Sequence, residues 1–295
     1  MRFEAITQLY SKHSRSRVAS LLECPIQKIG WETMKPLDTK IALVTGASRG
    51  IGKAVAQRLA RDGATVAVHY GTNEAAALRT VATIEAEGGT AFPLGVELGV
   101  PGDAEALWDA FDATGLDAVD IIVNNAGTVV YSTIEGVSEK DFDAVFAVNA
   151  KAPFFVIQHG LRRLRDGGRI INISSAAARV ATPLTIAYSM TKAAVNGLSR
   201  TLALELGNRG ITVNSVEPGI VETDIAAWLA DDRMYAQAAA WSAFHRVGQP
   251  DDIADVVAFL ASHDARWVTG QHIDATGGLA LGPTVDVGSL RAGTA

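Results

Sequence analysis

The sequence predicts a single α/β domain in which helices cover both faces of a parallel β-sheet. From residue 41 onward, short apolar runs alternate with helical segments, and this alternation is typical of βαβ units with right-handed crossovers. The runs are continuously apolar, as expected for strands that are buried on both faces. The 295 residues suffice for one large core, and no internal repeat or low-complexity linker divides the chain.

The elements follow one another in a regular order. Apolar runs predict strands at Ile41–Val44, Thr65–Tyr70, 90–97 and Val119–Asn124, and a strand-like run returns at 170–175. Helical patterns lie between them, from the residues after Gly52 to Asp62 and over 73–87, 103–111 and 139–164, and Tyr188 opens a further helix.

Composition excludes several classes of function. The chain carries 26 basic and 32 acidic residues, for a net charge of −6, and lacks the clustered positive charge that nucleic-acid binding requires. Cys24 is the only cysteine, so neither a disulfide framework nor a cysteine metal site can form, which suits a reducing compartment such as the cytoplasm. No apolar run approaches the ~20 residues that span a bilayer. We expect no metal, no nucleic acid and no membrane partner.

The two ends of the chain differ from the rest. Residues 1–38 are interpreted as a poorly ordered extension, in which the Ser/Arg-biased stretch 11–17 allows the alternative of a transit peptide. Met34 would make a natural start just before the first strand. The catalytic domain is predicted over 39–282, followed by a tail at 283–295.

A glycine-rich loop follows the first strand. Gly46, Gly50 and Gly52 lie where a buried strand turns into a helix. Glycines in this position permit a tight turn and the close approach of a pyrophosphate to a helix N-terminus. The spacing Gly-x3-Gly-x-Gly differs from the commoner Gly-x-Gly-x2-Gly. The loop therefore predicts a dinucleotide site, although glycines also make turns without binding anything.

The end of the second strand indicates which dinucleotide binds. An acidic residue there would accept a hydrogen bond from the ribose 2′-hydroxyl of NAD and repel a 2′-phosphate. The chain instead continues through Tyr70, Thr72 and Asn73, with no acid before Glu74. Arg49 in the glycine loop could offer its guanidinium group to the phosphate. These residues favour NADP(H), with a solvated loop cation as the alternative for Arg49.

Ser175, Tyr188 and Lys192 form the candidate catalytic group. Residues four apart share a helix face, so the Tyr188 hydroxyl and the Lys192 ammonium can point into one pocket. A phenol ordinarily titrates at about 10, and a nearby cation lowers its pKa, which would make it a usable acid or base. Ser175, at the end of a strand, would hold the oxygen that gains or loses the proton. Alone, such a Tyr-x3-Lys pair is more often a solvated helix face.

Amide side chains add to this group. Asn124-Asn125-Ala126-Gly127 ends the fourth strand, where open α/β sheets bind ligands. Asn149 lies inside a helical pattern that is otherwise apolar on one side. A buried asparagine must satisfy its amide, so a polar site nearby is expected.

Taken in order, these motifs resemble those of the short-chain dehydrogenase/reductase family, in its typical single-domain subgroup. The likeness extends over about 38–282 and includes Pro218-Gly219 and the late stretch 270–274, which is similar to the family's last strand. The resemblance implies a Rossmann-type, doubly wound α/β sheet of seven parallel strands in the order 3-2-1-4-5-6-7. It also implies a nicotinamide cofactor across the strand ends.

The resemblance assigns roles to individual residues. Tyr188 would donate or accept the proton, Ser175 would orient the substrate oxygen, and Lys192 would lower the Tyr188 pKa and hold the nicotinamide ribose. Asn149 would anchor a water that relays protons to Lys192. Thr45 and Asn124 would brace the loops, and Glu97 stands where the family usually has an aspartate that touches adenine. The expected cofactor contacts are Gly46, Ser48, Arg49, Gly50, Ile51, Gly52, Tyr70, Thr72, Asn73, Glu97, Asn125, Ala126, Gly127, Tyr188, Lys192, Pro218, Gly219, Val221 and Thr223.

The substrate is expected to be a neutral or hydrophobic ketone or secondary alcohol. Residues 220–247 correspond to the family's substrate lid and contain several large apolar side chains: Trp228, Leu229, Met234, Tyr235, Trp241 and Phe244. The apolar wall could be extended by Val129, Val130, Tyr131, Val180 and Leu184. Some of these residues could equally be packed inside helices.

Three alternatives remain at this point. A 3-oxoacyl-[acyl-carrier-protein] reductase would need a basic surface, and the cluster Arg162, Arg163, Arg165 and Arg169 offers one, unless it is a solvated helix end. A non-catalytic NADP-binding sensor or scaffold usually loses the tyrosine or the lysine, and both are present. A two-domain epimerase or dehydratase would want a longer chain. The resemblance further suggests a homotetramer or homodimer.

Overall fold

The computed structural model describes residues 35–282. The predicted tail and most of the predicted extension, with Cys24, Met34 and the Ser/Arg-biased stretch, lie outside the described residues. The described domain begins earlier than residue 39, because Leu37 is only 2% exposed and its N–H donates to the carbonyl of Asp62 at 2.8 Å. Leu37 thus belongs to the domain and not to the extension.

The sheet has seven parallel strands in the order β3-β2-β1-β4-β5-β6-β7. This order matches the expectation from the resemblance, and it reverses between β1 and β4, where open α/β sheets bind ligands at the carboxyl ends of the strands. The strands are β1 Ile41–Val44, β2 Thr65–Tyr70, β3 Thr90–Gly95, β4 Val119–Asn124, β5 Leu164–Ile173, β6 Thr212–Pro218 and β7 His272–Ala275.

Helices connect the strands and cover both faces of the sheet. They are α1 Gly50–Arg61, α2 Glu74–Ala86, α3 Asp103–Asp112, α4 Glu139–Phe146, α5 Ala152–Gly160, α6 Ile186–Glu205, α7 Asp232–Trp241 and α8 Pro250–Ala261. No helix between residues 35 and 282 combines the length and apolar character that crossing a bilayer requires.

Alternation along the strands divides the core between the two faces. Val44 packs into one cluster, which includes Leu59 of α1 and Val257 of α8. Its neighbour Leu43 packs into the other cluster, with Trp108 of α3. Because successive side chains of a strand point to opposite faces, each apolar run supplies both cores, and this is why the runs are continuous.

The predicted helix over 139–164 is wrong in two respects. A π-helical turn, Ala147–Lys151, separates α4 from α5, and α5 ends at Gly160. Pro153 is tolerated because it lies in the first turn of α5, where its missing N–H has no intrahelical partner. Leu164 begins β5 and pairs with Val119 of β4. Tyr188 lies in the first turn of α6 and does not open it, because the helix begins at Ile186.

Candidate active site

The glycine loop, residues 45–52, joins β1 to α1 at the carboxyl edge of the sheet. Gly46 has φ +63°, and a Cβ there would lie 2.9 Å from the Cα of Ala126. A Cβ on Gly52 would clash with the carbonyl of Gly46 and with the side chain of Asn125. The predicted glycines are therefore required by close backbone packing between the loop and the end of β4, in addition to any role in binding.

The first turn of α1 is open to an anion. No side chain caps α1 at its N-cap residue, Arg49. The carbonyl of Arg49 accepts a hydrogen bond from the N–H of Lys53. The N–H groups at the start of a helix lack intrahelical partners and carry the positive end of its dipole. The loop and this helix start therefore fit a pyrophosphate.

Thr45 and Asn125 hold the loop against the end of β4. The Thr45 hydroxyl accepts hydrogen bonds from the N–H groups of Asn125 at 2.9 Å and Ala126 at 3.0 Å. The Asn125 amide donates to the carbonyls of Thr45 at 2.9 Å and Gly46 at 3.1 Å. Thr45 thus braces the loop as expected. The Asn125 side chain is committed to the same bracing, and its predicted contact with the cofactor stays a prediction.

Asn124 braces the sheet and not the loop. Its amide donates to Asn172 of β5 at 2.8 Å, and Asn172 in turn donates to the hydroxyl of Ser199 on α6 at 2.8 Å. This buried polar chain connects β4 and β5 to the helix that carries Tyr188 and Lys192. Asparagines at these positions satisfy one another, as buried amides must.

His69 is a functional residue that the sequence did not reveal. Its Nδ1 accepts from the N–H of Gly46 at 3.0 Å, and its Nε2 lies 2.8 Å from the carbonyl of Val96. Because one partner is a donor and the other an acceptor, the imidazole must be neutral with its proton on Nε2. Burial lowers the pKa of His69 to about 4, against a smaller opposing effect of the Val96 hydrogen bond. A neutral His69 therefore fixes the glycine loop at ordinary pH.

No acidic residue lies in β2 or in the three positions after it, but the Glu74 side chain reaches the hydroxyl of Tyr70, the last residue of the strand. Tyr70 ends the strand with its ring packed against Gly95 of β3, and burial, together with the nearby Glu74, raises the pKa of its hydroxyl. Thr72 is exposed. The Asn73 side chain accepts from the N–H of Ala76 at 3.0 Å and so caps α2.

Arg49 does not lie free in solvent. Its guanidinium group forms an ion pair with Asp224 at 3.3 Å, and both side chains are more than half exposed. An exposed pair of this kind contributes about 0–1 kcal/mol, so an incoming phosphate can replace Asp224. Glu97, the predicted adenine contact, is exposed beyond the end of β3.

Ser175 and Tyr188 lie together. The Ser175 hydroxyl accepts from the N–H of Ala177 at 3.1 Å and caps a short 3₁₀ turn, Ala176–Ala178. The Tyr188 hydroxyl lies close enough to Ser175 for the serine to lower the pKa of the phenol. The neighbouring Ser174 points the other way and donates to the carbonyl of Lys192 at 3.2 Å. The choice of Ser175 over Ser174 thus agrees with the strand alternation.

Lys192 is buried beside them. Its side chain is 4% exposed, its Nζ donates to the carbonyl of Ile173 at 2.7 Å, and the same atom lies 5.5 Å from the centroid of the Tyr188 ring. No carboxylate of the described residues forms an ion pair with it. Burial lowers the pKa of Lys192 to about 8.

The environment of Tyr188 differs from the expectation. The resemblance implies that Lys192 lowers the Tyr188 pKa, but burial raises it, and the hydrogen bond to Ser175 only partly offsets that effect. The reason is that burial penalises the charged form of both groups. In this structure Tyr188 is held as a neutral phenol.

Asn149 lies in the π-helical turn and is buried. Its Oδ1 accepts from the N–H of Thr128 and its Nδ2 donates to the carbonyl of the same residue, both at 2.8 Å. Nδ2 also lies 3.2 Å from the Thr191 hydroxyl. The side chain is thus fully used in fixing the strand end next to Gly127 and the helix of Lys192. Its predicted link to Lys192 through water remains a prediction.

The segment after β6 lies over the glycine loop. A Cβ on Gly219 would lie 2.7 Å from the carbonyl oxygen of Thr276, so only glycine fits beside β7. The Thr223 methyl group would lie 3.3 Å from a Cβ on Gly50. Val221 is buried and pairs with Gly248 in an isolated bridge. The predicted nicotinamide contacts therefore share one side of the cleft with the loop.

The lid has a small core of its own. Leu229 packs with Ala238 and Val247, and Trp228 and Tyr235 lie against this cluster. By contrast, Met234, Trp241 and Phe244 are exposed. The large residues of 220–247 thus divide between packing inside the lid and an apolar surface.

Apolar side chains also surround Tyr188. Tyr131, Leu184 and Ile225 are each about half exposed, and the Tyr131 hydroxyl donates to the carbonyl of Ile225 in the lid at 3.4 Å. The N–H of Ser132 donates to Leu184 at 2.7 Å, which joins the two wall segments. Val129, Val130 and Val180 are partly buried.

The arginine cluster is not the basic surface that a carrier protein would need. Arg162 is exposed, but the other guanidinium groups are held within the domain: Arg163 by Asp112, Arg165 by Asp120, and Arg169 by the carbonyl of Ser262. Both interpretations, a docking surface and a solvated helix end, are therefore wrong for Arg163 and Arg169, which are buried, whereas Arg165 is 44% exposed.

The chain is similar to known reductases in sequence and in fold. The family model described as enoyl-(acyl carrier protein) reductase matches residues 46–280. The angucycline C-6 ketoreductase LanV, solved with bound NADP, is 48% identical to this chain, with a TM-score of 0.81. The match covers 84% of this chain and 98% of LanV. The reductase LugOII, which catalyses keto-reduction at C1 during lugdunomycin biosynthesis, is 51% identical to this chain, with a TM-score of 0.80. The match covers 84% of this chain and 100% of LugOII. A hydroxynaphthalene reductase-like protein of Metarhizium brunneum is 41% identical over 84% and 97%.

The fold and the site define a dinucleotide-dependent oxidoreductase. The chain belongs to the short-chain dehydrogenase/reductase family. The predicted family, the Rossmann-type fold and the interconversion of a ketone and a secondary alcohol are confirmed.

Proposed function

We propose that this protein is an NADPH-dependent ketoreductase whose substrate carries its ketone on a fused-ring aromatic framework. The observation that carries the proposal is the Ser175–Tyr188 pair, with Lys192 beside it. Tyr131, Leu184 and Ile225 offer flat and branched apolar surface to a planar substrate. Relatives named for angucycline and hydroxynaphthalene substrates support this class.

The chain's own residues supply acid catalysis and charge stabilisation. Tyr188 is a neutral phenol because its pKa is raised, so it can donate its proton to the carbonyl oxygen during reduction. Ser175 offers a hydrogen bond to that oxygen. Lys192, with a pKa of about 8, is mostly cationic at pH 7 and stabilises the negative charge that develops on Tyr188. The nicotinamide supplies the hydride when it is bound.

The cofactor is NADP(H), which the solved relative LanV binds. The start of α1 would hold the pyrophosphate through the N–H groups of Gly50, Ile51 and Gly52, with Ser48 beside them. Arg49 would exchange Asp224 for the 2′-phosphate, near Tyr70 and Thr72. The segment with Val221 and Thr223 would hold the carboxamide. No acidic residue lies in β2 or in the three positions after it, where an acid that selects NAD would stand.

A ketone panel tests the substrate class. It compares fused-ring aromatic ketones, simple aliphatic ketones and 3-oxoacyl thioesters on acyl carrier protein, and NADPH and NADH consumption are followed separately. We expect the highest kcat/KM for a fused-ring ketone with NADPH. Highest kcat/KM on the carrier thioester would establish the carrier-protein reductase, and binding of NADPH without turnover on any ketone would favour a sensor.

Tyr188→Phe tests the site. Because general acid catalysis contributes about 10²–10⁴-fold, we expect kcat to fall by that factor while NADPH binding, measured by fluorescence titration, is retained. Tyr235→Phe is the matched control, since Tyr235 packs inside the lid. Full activity in Tyr188→Phe would refute the assignment.

We also propose that the protein is a homotetramer or homodimer in the cytoplasm. Phe154 of α5 and Met190 and Leu204 of α6 are exposed apolar residues that an interface between copies would cover. The single cysteine supports a reducing compartment. Analytical ultracentrifugation tests the oligomeric state.

A further inference from the structure

A short, rigid turn follows Ser175. Its hydroxyl caps the 3₁₀ turn Ala176–Ala178, and the N–H of Arg179 closes the turn on the carbonyl of Ala176 at 3.0 Å. The N–H of Val180 bonds to the same carbonyl at 2.8 Å. Because these bonds leave little freedom between Ser175 and Arg179, whatever holds Arg179 also limits where Ser175 can lie.

Two carboxylates hold Arg179. Its Nε donates to Oε2 of Glu217 and its Nη2 donates to Oδ2 of Asp274, both at 2.5 Å. Glu217, on β6, is completely buried, whereas Asp274, on β7, is partly exposed. The planar guanidinium fork suits such a double contact, which a lysine ammonium cannot reproduce.

The second oxygen of Glu217 reaches the helix of Tyr188 and Lys192. Oε1 accepts from the amide of Asn196 at 2.8 Å. Asn196 follows Lys192 by four positions on α6, as Lys192 follows Tyr188, so the three side chains share one face of the helix. Glu217 is also the residue that precedes Pro218-Gly219, at the start of the segment beside the glycine loop.

We propose that Arg179 and Glu217 are positioning residues that hold the Ser175 hydroxyl beside Tyr188. One buried carboxylate joins the serine turn, the tyrosine helix and the strand that leads to the nicotinamide segment. Neither residue touches the reacting atoms. The inference rests on the proposed role of Ser175 and Tyr188. It explains what keeps these two side chains together before a substrate binds between them and the cofactor.

The chain offers a matched control in Arg165. The side chains of Arg165 and Arg179 are both 44% exposed. Arg165 forms an ion pair with Asp120, whose side chain is 6% exposed, and Arg179 forms one with Glu217, whose side chain is fully buried. Asp120 lies near the start of β4, at the amino edge of the sheet, opposite the active site. Arg165→Met therefore removes an ion pair to a buried carboxylate without disturbing the serine turn, although Asp120 keeps its contacts with Lys40 and the N–H of Ile41.

The experiment compares Arg179→Met and Arg165→Met in the full-length protein, each with and without Ser175→Ala. A displacement of about 1 Å in a catalytic group can cost ~100-fold, so we expect Arg179→Met to lower kcat by about 10- to 100-fold. We expect the NADPH dissociation constant to stay within about threefold, and Arg165→Met to keep its kcat. In the Ser175→Ala background, Arg179→Met should cause little further loss, because residues that act through one group are not additive.

Two further variants keep the test decisive if Arg179→Met does not fold. Arg179→Lys retains the charge but loses the fork, and we expect a kcat between those of wild type and Arg179→Met. The double variant Arg179→Met/Glu217→Gln no longer leaves a buried charge unpaired, and we expect it to fold and to retain the low kcat. Wild-type kcat in either variant would overturn the proposal.

Other outcomes separate the inference from the proposed function. Equal losses of kcat in Arg179→Met and Arg165→Met, or a loss from Arg179→Met that multiplies with that of Ser175→Ala, would show a purely structural role and overturn the positioning proposal. Full activity of Ser175→Ala alone would instead refute the proposed catalytic site.

Discussion

Lys192→Met should abolish turnover and yet stabilise the fold at neutral pH. Lys192 is buried without a carboxylate partner among the described residues, and its pKa falls from 10.5 to about 8. A lysine whose folded-state pKa is depressed destabilises the folded protein while it is charged. This cost is complete below pH 8, decreases as the pH rises from 8 to 10.5, and is absent above that range, where the lysine is neutral in both states.

The size of the effect follows from the two pKa values. The difference between the folded and the unfolded pKa of Lys192 lowers the free energy of unfolding by about 3 kcal/mol at pH 7 and by about 1 kcal/mol at pH 9.5. Removal of the ammonium also leaves the carbonyl of Ile173 without its 2.7 Å donor, which costs about 1–3 kcal/mol at either pH. The gain in unfolding free energy from Lys192→Met should therefore be about 2 kcal/mol larger at pH 7 than at pH 9.5.

Urea unfolding at fixed protein concentration, followed by circular dichroism at both pH values, measures this difference. Lys53→Met on the exposed face of α1 is the control, and its effect should not change with pH. A Lys192→Met effect that is constant between pH 7 and 9.5, or that grows as the pH rises, would refute the conclusion that Lys192 is a destabilised buried cation.

Two further predictions concern the glycine loop. His69→Leu removes the acceptor that faces the N–H of Gly46, so it should destabilise the protein by about 1–3 kcal/mol and weaken NADPH binding. His69→Asn keeps an acceptor and should bind NADPH within about tenfold of the wild-type affinity. A wild-type NADPH affinity in His69→Leu would contradict the role of His69. Gly52→Ala should displace the loop because its Cβ clashes with the carbonyl of Gly46, and we expect NADPH affinity to fall at least about tenfold. Gly207→Ala, with open space around it, is the control, and fluorescence titration measures all four variants.

The strands could be predicted closely because their signals are local. Thr65–Tyr70 and Val119–Asn124 have the bounds that their apolar runs predict, since each run ends at polar or glycine residues. The stretch 139–164 could not be divided correctly, because a π-helical turn keeps a helical pattern of apolar residues while it changes the hydrogen bonding. Leu164 continued that pattern, and only its pairing with Val119 makes it a strand residue.

The site was predictable where its residues form recognisable motifs and not where it depends on distant partners. Ser175, Tyr188 and Lys192 lie within one short stretch. The arginine cluster looked like a surface because Asp112 and Asp120, which hold two of its members, lie about 50 positions away in the sequence. His69 and Glu217 sit inside strands, where their side chains gave no sign of the loop and the turn that they hold.

The raised pKa of Tyr188 suits the proton-donating role that is proposed for it in reduction. Reduction requires Tyr188 to begin as a phenol, and burial, which raises its pKa, maintains that form. Oxidation requires the phenolate, which the buried site disfavours until the pH rises. Lys192 has no carboxylate partner among residues 35–282, so its positive charge is not neutralised before the proton leaves Tyr188. The burial that makes Lys192 costly for stability also leaves its charge uncompensated beside the Tyr188 ring, 5.5 Å away, which is the setting that the proposed stabilisation of negative charge during reduction requires.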